Sequence, residues 1–255
     1  MFGVLYGIHD RLAELGYDLV LVSTTTARQR LVSYLTFCTE RRLDGVIVMG
    51  IRMDDPYIQE VLDSGFPSVV IDVPLLSERC GYVMTDNVFG AKLAVRHLFA
   101  KGHRVIGFVN GHVQAAVSRE RRCGYEEAMA ECGLVGDPDW QFVSDFTERG
   151  GMEGCKTLLE KNPDMTAIFF ASDLMAMGGL RHAQAVGLKV PSDLSVVGFD
   201  DIELSQYVTP SLSTIHQKRY EMGTVAADML VGMLDQGKAP EGRLLSPQLF
   251  ERQST

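Results

Sequence analysis

The chain has 255 residues, 46% of them hydrophobic, and a formal net charge of −9 from 24 Lys and Arg against 33 Asp and Glu. That apolar share fills one large core or two smaller ones and excludes a disordered chain. The acidic balance, broken only by short basic pairs such as Arg41-Arg42 and Arg121-Arg122, excludes a nucleic-acid surface built from this chain's own clustered cations.

In chain order, Leu5, Ile8, Leu12 and Leu15 recur at helical spacing before Gly16, so a helix comes first. "YDLVLVS" (17–23) then reads as a strand, Thr24 to Thr26 as caps of a helix running to Arg42, and "DGVIVMG" (44–50) as a second strand. A helix near 56–64, the strand "PSVVID" (67–72), an extended "YVMTDN", a helix over 88–101 and the strand "RVIGFVNG" continue the alternation. After these come a helix over 119–132, a strand over 140–144, a helix over 149–161, the strand "AIFFA", a helix over 173–186 and the strand "SVVGF". Strict alternation predicts parallel α/β architecture, and near-continuous Val, Ile and Phe runs predict strands covered on both faces. Roughly ten strands divide into two doubly wound parallel-sheet lobes, with a break near "MTDN".

Three of the apolar strands deliver polar groups at their ends: "SVVID" ends on Asp72, "AIFFASD" on Ser172 and Asp173, and "SVVGFDD" on Asp200 and Asp201. Open parallel sheets bind ligands beyond the carboxyl ends of their strands, so two facing lobes would aim these groups at a small polyhydroxylated or amine-bearing ligand. Ser172 and Asp173 also stand where a helix begins, and on local grounds capping is the first reading for both; for Asp200 the two readings balance. No nucleophile elbow, phosphate loop, zinc-protease motif or dinucleotide fingerprint occurs, and the six histidines stand singly. Five cysteines without a C-x-x-C pair read as reduced thiols rather than metal ligands. No cofactor and no metal is called for. With no apolar run of roughly 20 residues and no basic-then-apolar start, the expected setting is the cytoplasm, away from any membrane.

"TDNVFGAKLAVRHLFAKGHRVIGFVNG", "SRERRCGYEEAM", "FFASDLMAMGGLRHAQAVGLKVPSDLSVVGFDDIELSQYVTPSLSTI" and "ERQST" together resemble the LacI/GalR transcriptional regulators, from "GYDLVLV" onward. The resemblance implies a non-catalytic effector-binding core of the periplasmic-binding-protein type. It further implies a homodimer that binds a sugar-like small molecule and reaches DNA only through a helix-turn-helix segment absent from this chain. It implies effector contacts at Asp72, Arg121, Phe146, Ser172 and Asp200, with Arg121 as a planar clamp and Phe146 as a stacking face. It also implies crossovers near Thr85 to Asn87, Ile215 to Gln217 and Ser246 to Gln248. One lobe would then comprise residues 1–85 with 216–246, the other 86–215 with 247–255.

Two departures from the family pattern stand out. The DNA-binding head and the strand before the first helix are missing, which would leave a gap in the first lobe's sheet. Ser172 replaces an Asn common among sugar-responsive relatives and offers fewer hydrogen bonds. The rival readings are a solute-binding transport protein of the same fold and, less favoured, a sugar isomerase or hydrolase using Asp72 and Asp200 as paired acids.

Overall fold

The computed structural model describes residues 2–22 and 33–255, and helix alternates with strand through most of the second stretch. The chain divides into two units, Met1–Thr85 with Lys218–Leu245 and Asp86–Gln217 with Ser246–Thr255, so it passes between them three times. His216 and Gln217, expected in the first lobe, belong to the second unit, because the strand that ends at His216 pairs on both sides with strands of that unit. Ser246 likewise falls in the second unit rather than the first.

In the first unit, helix α1 (Phe2–Leu15) buries Val4, Ile8 and Leu12, one residue per turn, and stops at Gly16, whose φ of 81° suits a residue without a Cβ. Helix α2 (Tyr34–Glu40) is capped by Ser33, which accepts a hydrogen bond from the Thr36 amide; the expected caps Thr24 to Thr26 lie outside the described residues. Strand β1 (Val46–Val48), helix α3 (Ile58–Asp63), β2 (Ser68–Ile71) and β3 (Cys80–Thr85) follow. The later strand β9 (Gly242–Leu245) completes an all-parallel sheet of order β1-β2-β3-β9. All four residues of β2 are buried, as the uninterrupted apolar run required.

The strand expected at 17–23 is not formed over its described residues, Tyr17 to Val22, and Ser23 lies outside them. Strand β1 pairs only with β2 among the described residues, and residues 17–22 do not pair along its other edge. A cavity of about 970 Å³ opens here, lined by Ile8 and Leu12 of α1, Leu19 and Leu21, Val46 and Val48 of β1, and Leu230 and Leu234. A strand forms only when a neighbour takes up its amides and carbonyls, and apolar alternation alone does not supply one.

The second unit holds α4 (Asn87–Ala100), β4 (Ile106–Asn110), α5 (Ala116–Glu131), β5 (Gln141–Val143), α6 (Glu148–Lys161), β6 (Ala167–Phe170), α7 (Asp173–Ala185), β7 (Ser195–Asp200) and β8 (Ser213–His216). Helix α8 (Arg219–Asp235) returns to the first unit, and β10 (Gln248–Phe250) ends the sheet order β10-β8-β7-β6-β4-β5. All its pairings are parallel except β10 with β8. The core is organised by aromatic rings on neighbouring elements: Phe108 stacks on Tyr125 at 4.9 Å and on Phe169 at 5.0 Å, and Phe169 lies 6.5 Å from Phe199. Such pairs add about 0.5–1.5 kcal/mol each beyond the area they bury. The row ends at Phe199, one residue before Asp200, which ties the core directly to the carboxyl edge of the sheet.

Candidate functional site

Four of the five expected contact residues lie in the second unit, along the carboxyl ends of β4 to β7 or on the helix packed there. Arg121, in α5, is only 4% exposed, so it is not a solvated helix residue. Its Nη1 donates to the Ala171 carbonyl at 2.6 Å and its Nε to Asn87 Oδ1 at 2.9 Å, while the guanidinium carbon sits 3.8 Å from the centre of the Phe199 ring. Two acceptors and an aromatic face therefore fix the fork between the ends of β6 and β7.

Of Ser172 and Asp173, both expected as caps, only Ser172 takes that role. Ser172 is the N-cap of α7: its Oγ accepts from the Met175 amide at 3.3 Å. Asp173 points elsewhere. Its Oδ2 accepts from the Ile202 amide and the Ser205 hydroxyl, both at 2.8 Å, and its Oδ1 from the Thr214 hydroxyl at 2.5 Å. Burial, reinforced by the charge of Asp200, pushes the Asp173 carboxyl up to about 7, against those three donors.

Asp200 closes β7 with φ 119° and accepts from Gln217 Nε2 at 2.5 Å; Asp201 follows with φ 50°. Phe146 has φ 66° and lays its ring on Gly111, where any Cβ would collide with it. In the first unit Asp72 follows β2 with φ 64°, its amide donating to the Val83 carbonyl at 3.1 Å. Three of the five expected contacts are thus non-glycine residues in the left-handed region, each costing on the order of 1–3 kcal/mol, and such outliers concentrate at ligand sites.

His216, read from the sequence as an isolated histidine, sits at the end of β8, with Nδ1 2.8 Å from Asp201 Oδ2 and its ring stacked on Phe250 at 4.7 Å. Arg252 completes this group by donating to Asp201 Oδ1 at 2.6 Å. Asn87 and Phe199, which hold Arg121, also escaped sequence reading. Phe199 looked like any core residue, and Asn87 is the first residue of α4, behind the Asp86 cap that accepts from the Phe89 amide at 2.9 Å.

Residues 95–255 match the periplasmic binding protein-like domain family. Over 255 residues the chain is 33% identical to the HTH-type transcriptional repressor CytR of Escherichia coli strain K12, covering 99% of this chain and 74% of that one. It is 30% identical over 254 residues to the HTH-type transcriptional repressor PurR of Aliivibrio salmonicida, covering 98% and 76%. Among solved structures, a LacI family transcriptional regulator from Enterococcus faecium with bound ribose superposes with a TM-score of 0.86 at 27% identity, over 100% of this chain and 93% of that one. The chain belongs to the LacI family of transcriptional regulators. The transcriptional regulator CelR in complex with cellobiose is similar to this LacI-family chain over 100% of its length and 78% of the other's, with a TM-score of 0.93 and 31% identity.

As a LacI-family protein the chain is a ligand-sensing regulatory domain, and its periplasmic-binding-protein-like architecture with parallel sheets is the one expected. The transport reading is not favoured, because the relatives are transcriptional repressors. Among the described residues no helix is long and apolar enough to cross a membrane.

Proposed function

We propose that this LacI-family domain senses a small sugar or sugar derivative through Arg121, Phe146, Ser172 and Asp200 of the second unit. The observation that carries the reading is the buried Arg121 fork, held between the ends of β6 and β7 with the strained Asp200 on the next residue after its Phe199 platform. A carboxylate accepts hydrogen bonds from sugar hydroxyls, a guanidinium donates to them, and the Phe146 face suits the apolar side of a sugar ring. Relatives in complex with cellobiose and with ribose support the ligand class.

The domain acts as a cytoplasmic homodimer, reaches DNA through a segment outside this chain, and catalyses no reaction. Exposed Phe2, Tyr6 and Tyr220 on the packed helices α1 and α8 support pairing with a second copy. Effector control then follows from differential affinity for the two states of the regulator.

Titration calorimetry with cellobiose and ribose tests the reading. Arg121→Ala and Asp200→Ala should each weaken binding about tenfold or more, as loss of a charge-assisted contact predicts. Unchanged affinity in both variants removes the site.

A further inference from the structure

Asp173 is fully buried behind the sensing edge and is not one of the proposed effector contacts. It opens α7, yet its carboxylate ties three elements together. Oδ1 takes the Thr214 hydroxyl of β8, Oδ2 takes the Ile202 amide and the Ser205 hydroxyl of the turn after β7, and Thr214 Oγ1 in turn accepts from the Asp201 amide at 3.3 Å. The segment clamped in this way contains two successive residues in the left-handed region, Asp200 and Asp201. Non-glycine residues hold that conformation only when their surroundings over-determine it. Strand β7 is shaped for the acid as well: a Cβ at Gly198 would collide with Asp173 Oδ1.

We propose that Asp173 is a positioning residue, which holds residues 200–205 in the strained turn that presents the Asp200 carboxylate to the effector. The effector half of this statement rests on Asp200 being a ligand contact; the turn half rests on the hydrogen bonds alone. Burial and the Asp200 charge shift Asp173 toward its neutral form, and its neutral isostere keeps the geometry. An asparagine here accepts from the Ile202 amide with its oxygen and donates to Thr214 Oγ1 with its nitrogen. Asn is therefore the rescuing substitution and Ala the disrupting one.

Amide hydrogen exchange of the full, unliganded chain, read on peptides covering 199–206, tests the turn. In Asp173→Ala, and in Ser205→Ala combined with Thr214→Val, exchange there should rise about tenfold or more, with β4 peptides unchanged and Asp173→Asn close to wild type. If Asp173→Ala also loosens β4, the double variant, which keeps the acid, decides the matter. Calorimetry with cellobiose and ribose tests the effector half: Kd should rise about tenfold in the disrupting variants and stay within about threefold in Asp173→Asn. Unchanged exchange at 199–206 overturns the proposal, and so does a loosened turn with unchanged Kd, which would leave Asp173 a purely structural residue. A loosened turn in a protein whose wild type binds neither sugar overturns the effector half and identifies the sugar reading, not the turn, as the error.

Discussion

Replacing Arg121 by Lys keeps a positive charge in the second unit but removes the planar fork. In the native arrangement Nη1 donates to the Ala171 carbonyl at 2.6 Å, Nε donates to Asn87 Oδ1 at 2.9 Å, and the guanidinium lies 3.8 Å from the Phe199 ring centre. A single ammonium on a flexible stem cannot serve both acceptors while stacking on the ring. One lost charge-assisted hydrogen bond costs about 1.5–3 kcal/mol, and the lost stacking about 0.5–2 kcal/mol more. The expected destabilisation is therefore about 2–5 kcal/mol, which at roughly 2–4 °C per kcal/mol lowers Tm by roughly 4–20 °C. Scanning calorimetry of the unliganded protein reads this directly. A shift below about 2 °C, half the smallest expected, would mean that the two acceptors and the Phe199 face do not hold Arg121 as a preset clamp.

Ser172→Ala removes the cap of α7 and should cost about 1 kcal/mol, whereas Ser172→Asn keeps a capping oxygen and should leave Tm near wild type while altering sugar affinity. Chemical denaturation and calorimetry separate the two effects. Gly111→Ala puts a methyl group into the Phe146 ring and should destabilise by about 1–3 kcal/mol, weakening sugar binding as the ring moves; an unaltered affinity would discount Phe146 as a contact. Because burial raises the Asp173 carboxyl from 3.8 to about 7, the folded state retains a proton that the unfolded chain gives up. The stability advantage of wild type over Asp173→Asn should therefore be greatest below about pH 4 and decline until about pH 7, a trend that urea titrations across that range would reveal or refute. Among the cysteines, burial pushes the Cys80 thiol up to about 11, the Cys155 thiol up to about 12 and the Cys38 thiol upward, while Cys123 is exposed and Cys132 half-buried. Iodoacetamide followed by mass spectrometry should mark Cys123 and Cys132 in the native protein and spare the other three; equal labelling of Cys155 would contradict its burial.

Local pattern was enough for most of the elements. Strands such as "AIFFA" and "SVVGF" are buried on both faces, so their composition alone separates them from helices, whose apolar residues recur once per turn as in α1. The carboxyl ends of those strands were legible as well, because a parallel sheet gathers them along one edge, and so Ser172 and Asp200 stand out from the strand pattern itself. Arg121 and Phe146 are reached only through the family resemblance, since nothing in "RERRCGY" distinguishes a clamp from a solvated helix residue and nothing in "SDFTERG" a stacking face from a core aromatic.

Tertiary structure alone decided which neighbour each polar group meets. Arg121 and Asn87 are 34 residues apart, Asp173 and Thr214 41 apart, and no periodicity links positions so distant. For the same reason Ser172 proved to be the cap while Asp173 became a buried tie between α7, β8 and the turn after β7. "YDLVLVS" shows the converse: its side chains suit a strand, but a strand exists only where a neighbouring strand accepts and donates its hydrogen bonds, and among the described residues no ladder includes Tyr17 to Val22. Periodicity is a property of one segment and can be read from it; pairing is a property of two, and only the folded chain brings them together.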